Sequence, residues 1–215
     1  IRYFEDLFGV PYPWAKYDQV TTPHVGGGAE ATSATILGDG VFPESGAEPG
    51  FGWQQVIAHE IAHHWWGDLV TMREWSHTWI SESFATYADH LYTRSVRGPE
   101  EGAWDLEQKK ERYLQEARTE YMRPIVFDRY TEPEQNFDAH TYPKGAAVLH
   151  MLRYVLGDEA FFRVLNRFLT GHAYQSVDTG DFIRTVTEVT GRDLRTFFDQ
   201  WLYSPGHPVF EVSAR

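Results

Sequence analysis

The chain has 215 residues, a formal net charge of −12 and 42% hydrophobic residues. This apolar content is enough for one substantial core and excludes an intrinsically disordered chain. The acidic balance indicates that nucleic acid is not a partner, because phosphate binding requires a basic face.

The cysteine content and the first residues bear on location. No cysteine is present, which excludes disulfides and thiol catalysis and favours the cytoplasm. No apolar run approaches the length needed to cross a membrane, so no membrane partner is expected. The sequence starts at Ile1 without an initiator methionine, and we expect an excerpt whose flanking domains are missing. A secreted or periplasmic protein is the alternative, because a targeting segment could precede the excerpt.

The N-terminal part of the chain predicts a short β-sheet. Residues 1–9 read as the end of a helix that Gly9 closes. Residues 16–22 and 32–37 read as strands, the second of them at an edge of the sheet. The glycine triplet at 26–28 allows the backbone to approach another group closely.

A candidate metal motif follows a loop at 38–50 that is rich in glycine, proline and acidic residues. The motif, His-Glu-Ile-Ala-His, begins at His59. In a helix, His59 and His63 lie one turn apart on one face, close enough for both imidazoles to bind one metal ion. Glu60 is placed to take a proton from an activated water molecule. The alternative interpretation is a histidine-rich core helix with one stray carboxylate.

The third ligand decides which kind of zinc site this is, because catalytic zinc usually keeps three protein ligands and one position for water. One common pattern needs a glycine and a third histidine shortly after His63, where this chain has Trp66 and Leu69. The other pattern uses a glutamate on the next helix, which we predict at 76–91. Its buried-looking acid is Glu82, 19 residues after the second histidine, and burial of a carboxylate among apolar neighbours is costly unless it binds a partner. Two nearby acids are rejected as ligands and assigned to capping or to the surface: Asp68 and Glu74.

The rest of the chain predicts a helical body. Helices are expected at 102–122, ended by Pro124, at 144–156, from Gly157-Asp158 onward, at 182–189 with Asp178 as the N-cap, and at 192–203. The first of these has an apolar stripe that includes Trp104, and the charged run at 109–112 is interpreted as its solvated face. Residues 209–213 read as extended chain.

Three parts of the chain resemble the aminopeptidase N family of gluzincin metallopeptidases, to which the bifunctional leukotriene hydrolase/aminopeptidase also belongs. The most specific part is His-Glu-Ile-Ala-His-His-Trp-Trp-Gly-Asp-Leu-Val-Thr, followed by Glu82 within Trp-Ile-Ser-Glu-Ser-Phe-Ala. Residues 27–31, Gly-Gly-Ala-Glu-Ala, are similar to the exopeptidase motif of that family. Residues 142–146, Tyr-Pro-Lys-Gly-Ala, are similar to the segment that carries its catalytic tyrosine.

The resemblance covers nearly the whole chain and implies a fold. It implies an α+β, mainly helical, thermolysin-like zinc metallopeptidase catalytic domain with a short N-terminal β-sheet. The expected domain spans residues 1–208, with the sheet part at 1–50 and the helical part at 51–208. Residues 209–215 are then expected to begin a truncated β segment.

The residues and the resemblance together predict a set of site residues. One zinc ion per chain is expected on His59, His63 and Glu82, with Glu60 as the general base. The resemblance favours Tyr142 as the group that stabilises the oxyanion, where the residues alone are equally compatible with a core tyrosine.

The resemblance also assigns substrate binding to the glycine-rich segment. It implies that Glu30 binds the substrate's α-ammonium group together with Gly27, Gly28 and Ala29, whereas the residues alone favour an exposed charge on an edge strand. Four positions differ from the usual family residues: Ala29 and Ala31 replace methionine and asparagine, and Ser81 and Ser83 replace asparagine and glycine.

Asp89 is a candidate for orienting a metal-bound imidazole. It lies seven residues after Glu82, two helical turns along the same face. Metal-bound histidine commonly donates its second nitrogen to a carboxylate, so Asp89 is predicted to orient His59 or His63. An ordinary surface acid is an equally compatible interpretation.

The predicted function is a zinc aminopeptidase that hydrolyses the N-terminal peptide bond of peptides with a free N-terminus. Two alternatives use the same residues differently. One is an endopeptidase or an epoxide hydrolase on the same site, and the other is a zinc-stabilised scaffold that binds peptides without cleaving them. The sequence does not determine which N-terminal residue is preferred.

Overall fold

Helices make up most of the structure, a computed structural model that describes residues 1–41 and 52–213. The helices, in chain order, are α1 Arg2–Phe8, α2 Gly52–His63, α3 Trp79–Arg97, α4 Pro99–Thr119, α5 Gly145–Leu156, α6 Asp158–Gly171, α7 Thr179–Thr190 and α8 Arg195–Phe198. The strands are β1 Asp18–Thr22, β2 Gly28–Ala29, β3 Ala34–Gly38, β4 Val70–Met72 and β5 Gln175–Val177. Most of the predicted loop at 38–50 lies outside the described residues.

A three-stranded sheet occupies the N-terminal part, in the order β1-β3-β2. β1 runs parallel to β3, and β2 runs antiparallel to it, with Gly28 opposite Leu37 and Ala29 opposite Ile36. The prediction that the second strand lies at an edge is therefore wrong, because β3 is the central strand and Leu37 is fully buried. A β-branched run predicts a strand, but its neighbours in the sheet depend on pairing with other segments.

A second, two-stranded sheet was absent from the sequence prediction. β4 runs parallel to β5, and Thr71 pairs with Ser176. The two strands come from segments more than a hundred residues apart, so no local pattern in the sequence predicts their pairing. The pair ties the segment after α2 to the start of α7.

Several predicted helix ends are confirmed because their capping residues act locally. Gly9 ends α1 in the left-handed conformation, with φ of 62°. Asp178 caps α7 and accepts a hydrogen bond from the backbone N–H of Asp181. The helix predicted at 102–122 is α4, which the structure has at Pro99–Thr119, so it begins and ends three residues earlier than predicted. The apolar stripe predicted for it is wrong at Trp104, which is 62% exposed.

α3 is the central helix of the fold. It packs against α2, α4 and α5, and its residues from Trp79 to Leu91 are all buried. Aromatic rings surround its first turns: the rings of Trp66 and Phe84 are stacked with centroids 4.2 Å apart. This packing places the short polar segment around Glu82 inside the protein, against α2.

The C-terminal residues bear on the predicted domain boundary. Residues 209–213 have no regular secondary structure and are exposed, and residues 214–215 lie outside the described part of the chain. The β segment expected there stays a prediction. In the part of the chain that the structure describes, no helix is both long enough and apolar enough to cross a membrane.

Candidate metal centre and active site

Three donor atoms from α2 and α3 converge where the sequence predicts a metal. The Nε2 atoms of His59 and His63 are 3.0 Å apart. The Oε2 atom of Glu82 is 3.3 Å from Nε2 of His59 and 3.2 Å from Nε2 of His63. Zinc at its usual distance of about 2.0–2.1 Å from such donors holds tetrahedral ligands about 3.3–3.4 Å apart. The spacing of this donor set therefore fits a zinc ion.

The second nitrogen of each imidazole is also engaged. Nδ1 of His59 lies 3.2 Å from Oδ2 of Asp89. Of the two histidines that Asp89 is predicted to orient, it therefore contacts His59. Nδ1 of His63 lies 2.9 Å from the carbonyl oxygen of Trp66 and 3.0 Å from Oγ of Ser81. Donation from Nδ1 leaves both Nε2 atoms free to bind a cation.

The electrostatics of the cluster favour positive charge. Burial acts to raise the pKa of Glu82, but the neighbouring imidazoles of His63 and His59 outweigh it and lower the pKa well below its usual range. Burial lowers the pKa of His59, whereas hydrogen bonds to Asp89 and Glu82 raise it, with a net value of about 10. The surrounding carboxylates therefore stabilise a cation between these side chains.

Glu60 lies beside the metal cluster and lines the same cavity. It is 5% exposed, and burial raises the pKa of its carboxyl group. One carboxylate oxygen of Glu60, one of Glu30 and a ring nitrogen of His63 form a second group whose atoms lie within 4.8 Å of one another. The carboxylates of Glu30 and Glu60 thus lie next to His63, which also belongs to the predicted metal cluster. Among the described residues, the rejected acids Asp68 and Glu74 belong to neither group.

The glycine-rich segment forms one wall of the cavity above this cluster. The cavity has a volume of about 710 Å³, and Gly27, Gly28 and Glu30 line it together with His59 and Glu60. Glu30 directly follows β2, one of the two edge strands of the described sheet.

Ala29 behaves differently from its neighbours in the glycine-rich segment. It pairs with Ile36 in the sheet and is not among the described residues that line the cavity. The structure therefore brings Gly27, Gly28 and Glu30 to the cavity and leaves Ala29 in the strand behind them.

Tyr142 reaches the cluster from a short π-helical turn, His140–Lys144, just before α5. Its ring stacks on the imidazole of His59, with centroids 6.0 Å apart and planes 17° apart. Burial, the charge of Glu82 and a hydrogen bond to Glu82 raise the pKa of Tyr142, so the phenol keeps its proton. The structure thus brings this predicted residue into contact with the predicted metal ligands.

A buried polar network behind His59 was missed by the sequence analysis. Nζ of Lys109 lies 3.0 Å from Oδ1 of Asp89 and 2.7 Å from Oδ1 of Asp105. Gln55 donates to the same two oxygen atoms, at 2.9 Å and 2.7 Å. The prediction of a solvated face at 109–112 is wrong for Lys109, whose side chain is 12% exposed, because this side of α4 faces α3. The spacing of Asp105 and Lys109, four residues apart in a helix, was the available signal.

A further cluster of His, Asp and Glu is held by an arginine. Glu116, Asp138 and His140 bring donor atoms within 4.8 Å of one another. The guanidinium of Arg123 binds both carboxylate oxygens of Asp138, at 2.6 Å and 2.7 Å. The cation in this cluster is therefore the arginine, and the cluster supports the turn that carries Tyr142.

The chain is similar to a known protein family along most of its length. The peptidase family M1 domain matches residues 1–201 of the chain. The chain belongs to peptidase family M1. The cluster on α2 and α3 thus lies inside the matched M1 domain, as do Glu30 and Tyr142.

Relatives of this M1 chain include proteins named as aminopeptidases. Aminopeptidase N of Streptomyces lividans is 34% identical over 224 residues, which are 99% of this chain and 26% of that protein. An M1 zinc metallopeptidase from Deinococcus radiodurans, solved with a Tyr-Ser-Ala substrate, is 28% identical with a TM-score of 0.73, over 94% of this chain and 42% of that one. Yeast LTA4 hydrolase shares the fold, with a TM-score of 0.85 at 24% identity over 99% of this chain and 35% of that one. The M1 chain spans about a quarter of the length of the curated relatives that it matches.

Proposed function

We propose that this chain is the thermolysin-like catalytic domain of a zinc-dependent aminopeptidase. The observation that carries the proposal is the convergence of His59, His63 and Glu82 at zinc-ligand spacing, with Glu60 and Glu30 beside them on one cavity. Membership of family M1 and the similarity to aminopeptidase N support it.

His59, His63 and Glu82 would hold one zinc ion per chain. A zinc ion bound by such a set lowers the pKa of water towards neutrality and polarises a carbonyl group. Asp89 and the carbonyl of Trp66 accept hydrogen bonds from the two imidazoles, and so keep the rings oriented for binding.

Glu60 acts as the general base in this proposal. It accepts a proton from the water whose oxygen attacks the carbonyl carbon of the scissile bond. It then returns that proton to the amine nitrogen as the carbon–nitrogen bond breaks. Burial raises the pKa of Glu60 and makes it a better proton acceptor than an exposed glutamate.

Tyr142 stabilises the oxyanion that forms when the carbonyl is attacked. A phenol with a raised pKa stays protonated and donates a hydrogen bond without bringing a full charge into the site. Its stacking on His59 holds the ring at the edge of the predicted ligand cluster.

Glu30 gives the site its preference for peptides with a free N-terminus. Its carboxylate shares a 4.8 Å cluster with Glu60 and His63, so a bound α-ammonium group would sit one residue from the reacting bond. Gly27 and Gly28 keep this wall of the cavity free of side chains.

We further propose that residues 1–208 form the catalytic domain, that residues 209–215 begin a β segment, and that flanking domains complete the natural protein. The coverage of only about a quarter of the curated relatives supports the last point. A cytoplasmic location is proposed from the absence of cysteine alone.

The test is turnover of a panel of aminoacyl fluorogenic amides and their N-acetylated counterparts, with zinc content measured in parallel. We expect cleavage of the free-amine substrates, loss of activity with a chelator and recovery with zinc. Equal cleavage of the acetylated peptides would replace the proposal with an endopeptidase. Peptide binding without turnover in a zinc-loaded protein would replace it with a binding scaffold. Hydrolysis of an epoxide substrate instead of the amides would favour the epoxide hydrolase.

A further inference from the structure

Ser83 links the metal-binding helix to the turn that carries Tyr142. It directly follows Glu82 in α3 and is fully buried. Its hydroxyl donates a hydrogen bond of 2.5 Å to the carbonyl oxygen of Thr141, which is 1% exposed and directly precedes Tyr142. One side chain on α3 therefore contacts the peptide group that leads into the tyrosine.

The turn itself departs from α-helical geometry for a local reason. Pro143 has no backbone N–H and cannot donate to the carbonyl of Ala139. The N–H of Lys144 takes this carbonyl instead, at 3.0 Å, which closes the wider π-helical ring. Tyr142 thus sits in a turn whose backbone bonds are not those of a regular helix.

Thr141 is held from two sides. Its N–H donates to Oδ1 of Asp138 at 3.1 Å, and its hydroxyl accepts from Arg123 at 2.8 Å. Its carbonyl accepts from Ser83 on the opposite side. Asp138 and Arg123 hold the turn from outside α3, whereas Ser83 bonds the backbone of the turn from α3 itself.

The space around Ser83 leaves its side chain little freedom. A β-carbon added to Gly145, the first residue of α5, would lie 2.5 Å from Cβ of Ser83 and closer still to its hydroxyl. The hydroxyl is therefore confined between α5 and the carbonyl of Thr141.

We propose that Ser83 is a positioning residue that sets the place of the Tyr142 phenol relative to Glu82 through the carbonyl of Thr141. The inference rests on the proposed function, because it assigns the reaction step to Tyr142. Ser83 touches no substrate in this proposal. Its effect is expected in the rate of the chemical step and not in binding of metal or of substrate.

The first test is a double-mutant cycle of Ser83→Ala and Tyr142→Phe in the intact natural protein. Ser83→Ala should lower kcat by about tenfold with KM and zinc content unchanged, because a misplaced group of this kind slows the chemical step. In the Tyr142→Phe background the same change should alter kcat by less than about twofold, since residues that act as a unit are not additive. Ser95→Ala is the matched control, because Ser95 lies on the same helix, is exposed and donates its hydroxyl hydrogen bond to the nearby carbonyl of Tyr92.

A second measurement does not depend on turnover. With 3-fluorotyrosine incorporated, the fluorine NMR signal that disappears in Tyr142→Phe should shift or broaden in Ser83→Ala and stay in place in Ser95→Ala. Ser83→Gly removes the same hydroxyl and should give the same result, which covers the case of an unstable alanine variant.

The outcomes separate this inference from the proposed function. An unmoved Tyr142 signal, or an equal loss of kcat in both backgrounds, overturns the role of Ser83. If the signal is displaced in Ser83→Ala but the parent protein cleaves no aminoacyl amide, the positioning by Ser83 is supported and the aminopeptidase proposal is overturned instead.

Discussion

The carboxyl group of Glu60 lies against the backbone of Gly28, so closely that a β-carbon at position 28 would fall 2.4 Å from the Glu60 Cδ atom. A glutamate on α2 and a glycine on β2, both of which line the cavity, are thus in direct contact. Only the absence of a side chain at this point of the strand allows it.

This contact predicts that Gly28→Ala displaces Glu60. The side chain of Glu60 must move away, and kcat should fall about tenfold or more, because the proton acceptor leaves its working position. Gly26→Ala is the matched control, since position 26 lines the same cavity but a β-carbon there would meet no atom within 4 Å. Equal effects of the two changes on kcat would show that the contact with Glu60 does not matter.

The metal prediction concerns His63. Replacement by alanine removes one of the three converging donors, so metal analysis of the purified His63→Ala variant should show a large loss of zinc. His24→Ala removes an exposed histidine and should leave the zinc content unchanged. Full retention of zinc by the first variant would rule out the assigned ligand set.

The general-base prediction concerns Glu60→Gln. The amide keeps the shape of the side chain but cannot accept the proton, so turnover should fall about 10²- to 10⁴-fold with zinc retained. Paired measurements of kcat and zinc content check it. Activity near that of the parent would remove Glu60 from the mechanism.

The specificity prediction concerns Glu30→Ala. A charge-assisted contact with the substrate ammonium contributes about 1.5 to 3 kcal/mol, so kcat/KM for free-amine substrates should fall roughly tenfold to a hundredfold. N-acetylated substrates cannot make the contact, and we expect them to be poor substrates whose cleavage the change barely affects. A loss below about twofold on free amines would place amine recognition outside Glu30.

The stability prediction concerns the network behind His59. Lys109→Met leaves the buried carboxylate of Asp89 and the partly buried carboxylate of Asp105 without the lysine that pairs with both, and the free energy of unfolding should fall by about 3 kcal/mol. Lys110→Met removes a cation that pairs with Glu107 at the surface, with both side chains 47% exposed, and should cost less than about 1 kcal/mol. Denaturant unfolding of both variants gives the comparison, and equal losses would contradict the buried role of Lys109.

Some site features could be predicted because they depend on helical geometry alone. The spacing of His59 and His63 places two imidazoles on one face of any helix. Glu82 stood out as an acid among apolar neighbours, and its burial in α3 agrees with that signal. Glu30 and Tyr142 needed the family resemblance, because their positions within the sheet and the π-helical turn carry no such local signal.

Other features could not be predicted because they join distant segments. The pairing of Thr71 with Ser176 and the central place of β3 depend on which strand edges the whole fold brings together. The burial of Lys109 depends on how α4 packs against α3, and a charged run in a sequence does not show which of its members faces inward.

The sequence by itself determined the family, the predicted metal ligands and the local helix ends at Gly9 and Asp178, because these follow from residue type and from spacing within a few turns. Only the tertiary structure decided that Asp89 contacts His59, that Gly28 admits Glu60 and that Ser83 bonds the carbonyl before Tyr142. These contacts join elements whose relative positions depend on packing of the whole core, and buried polar groups accept only partners that this packing brings within hydrogen-bond distance.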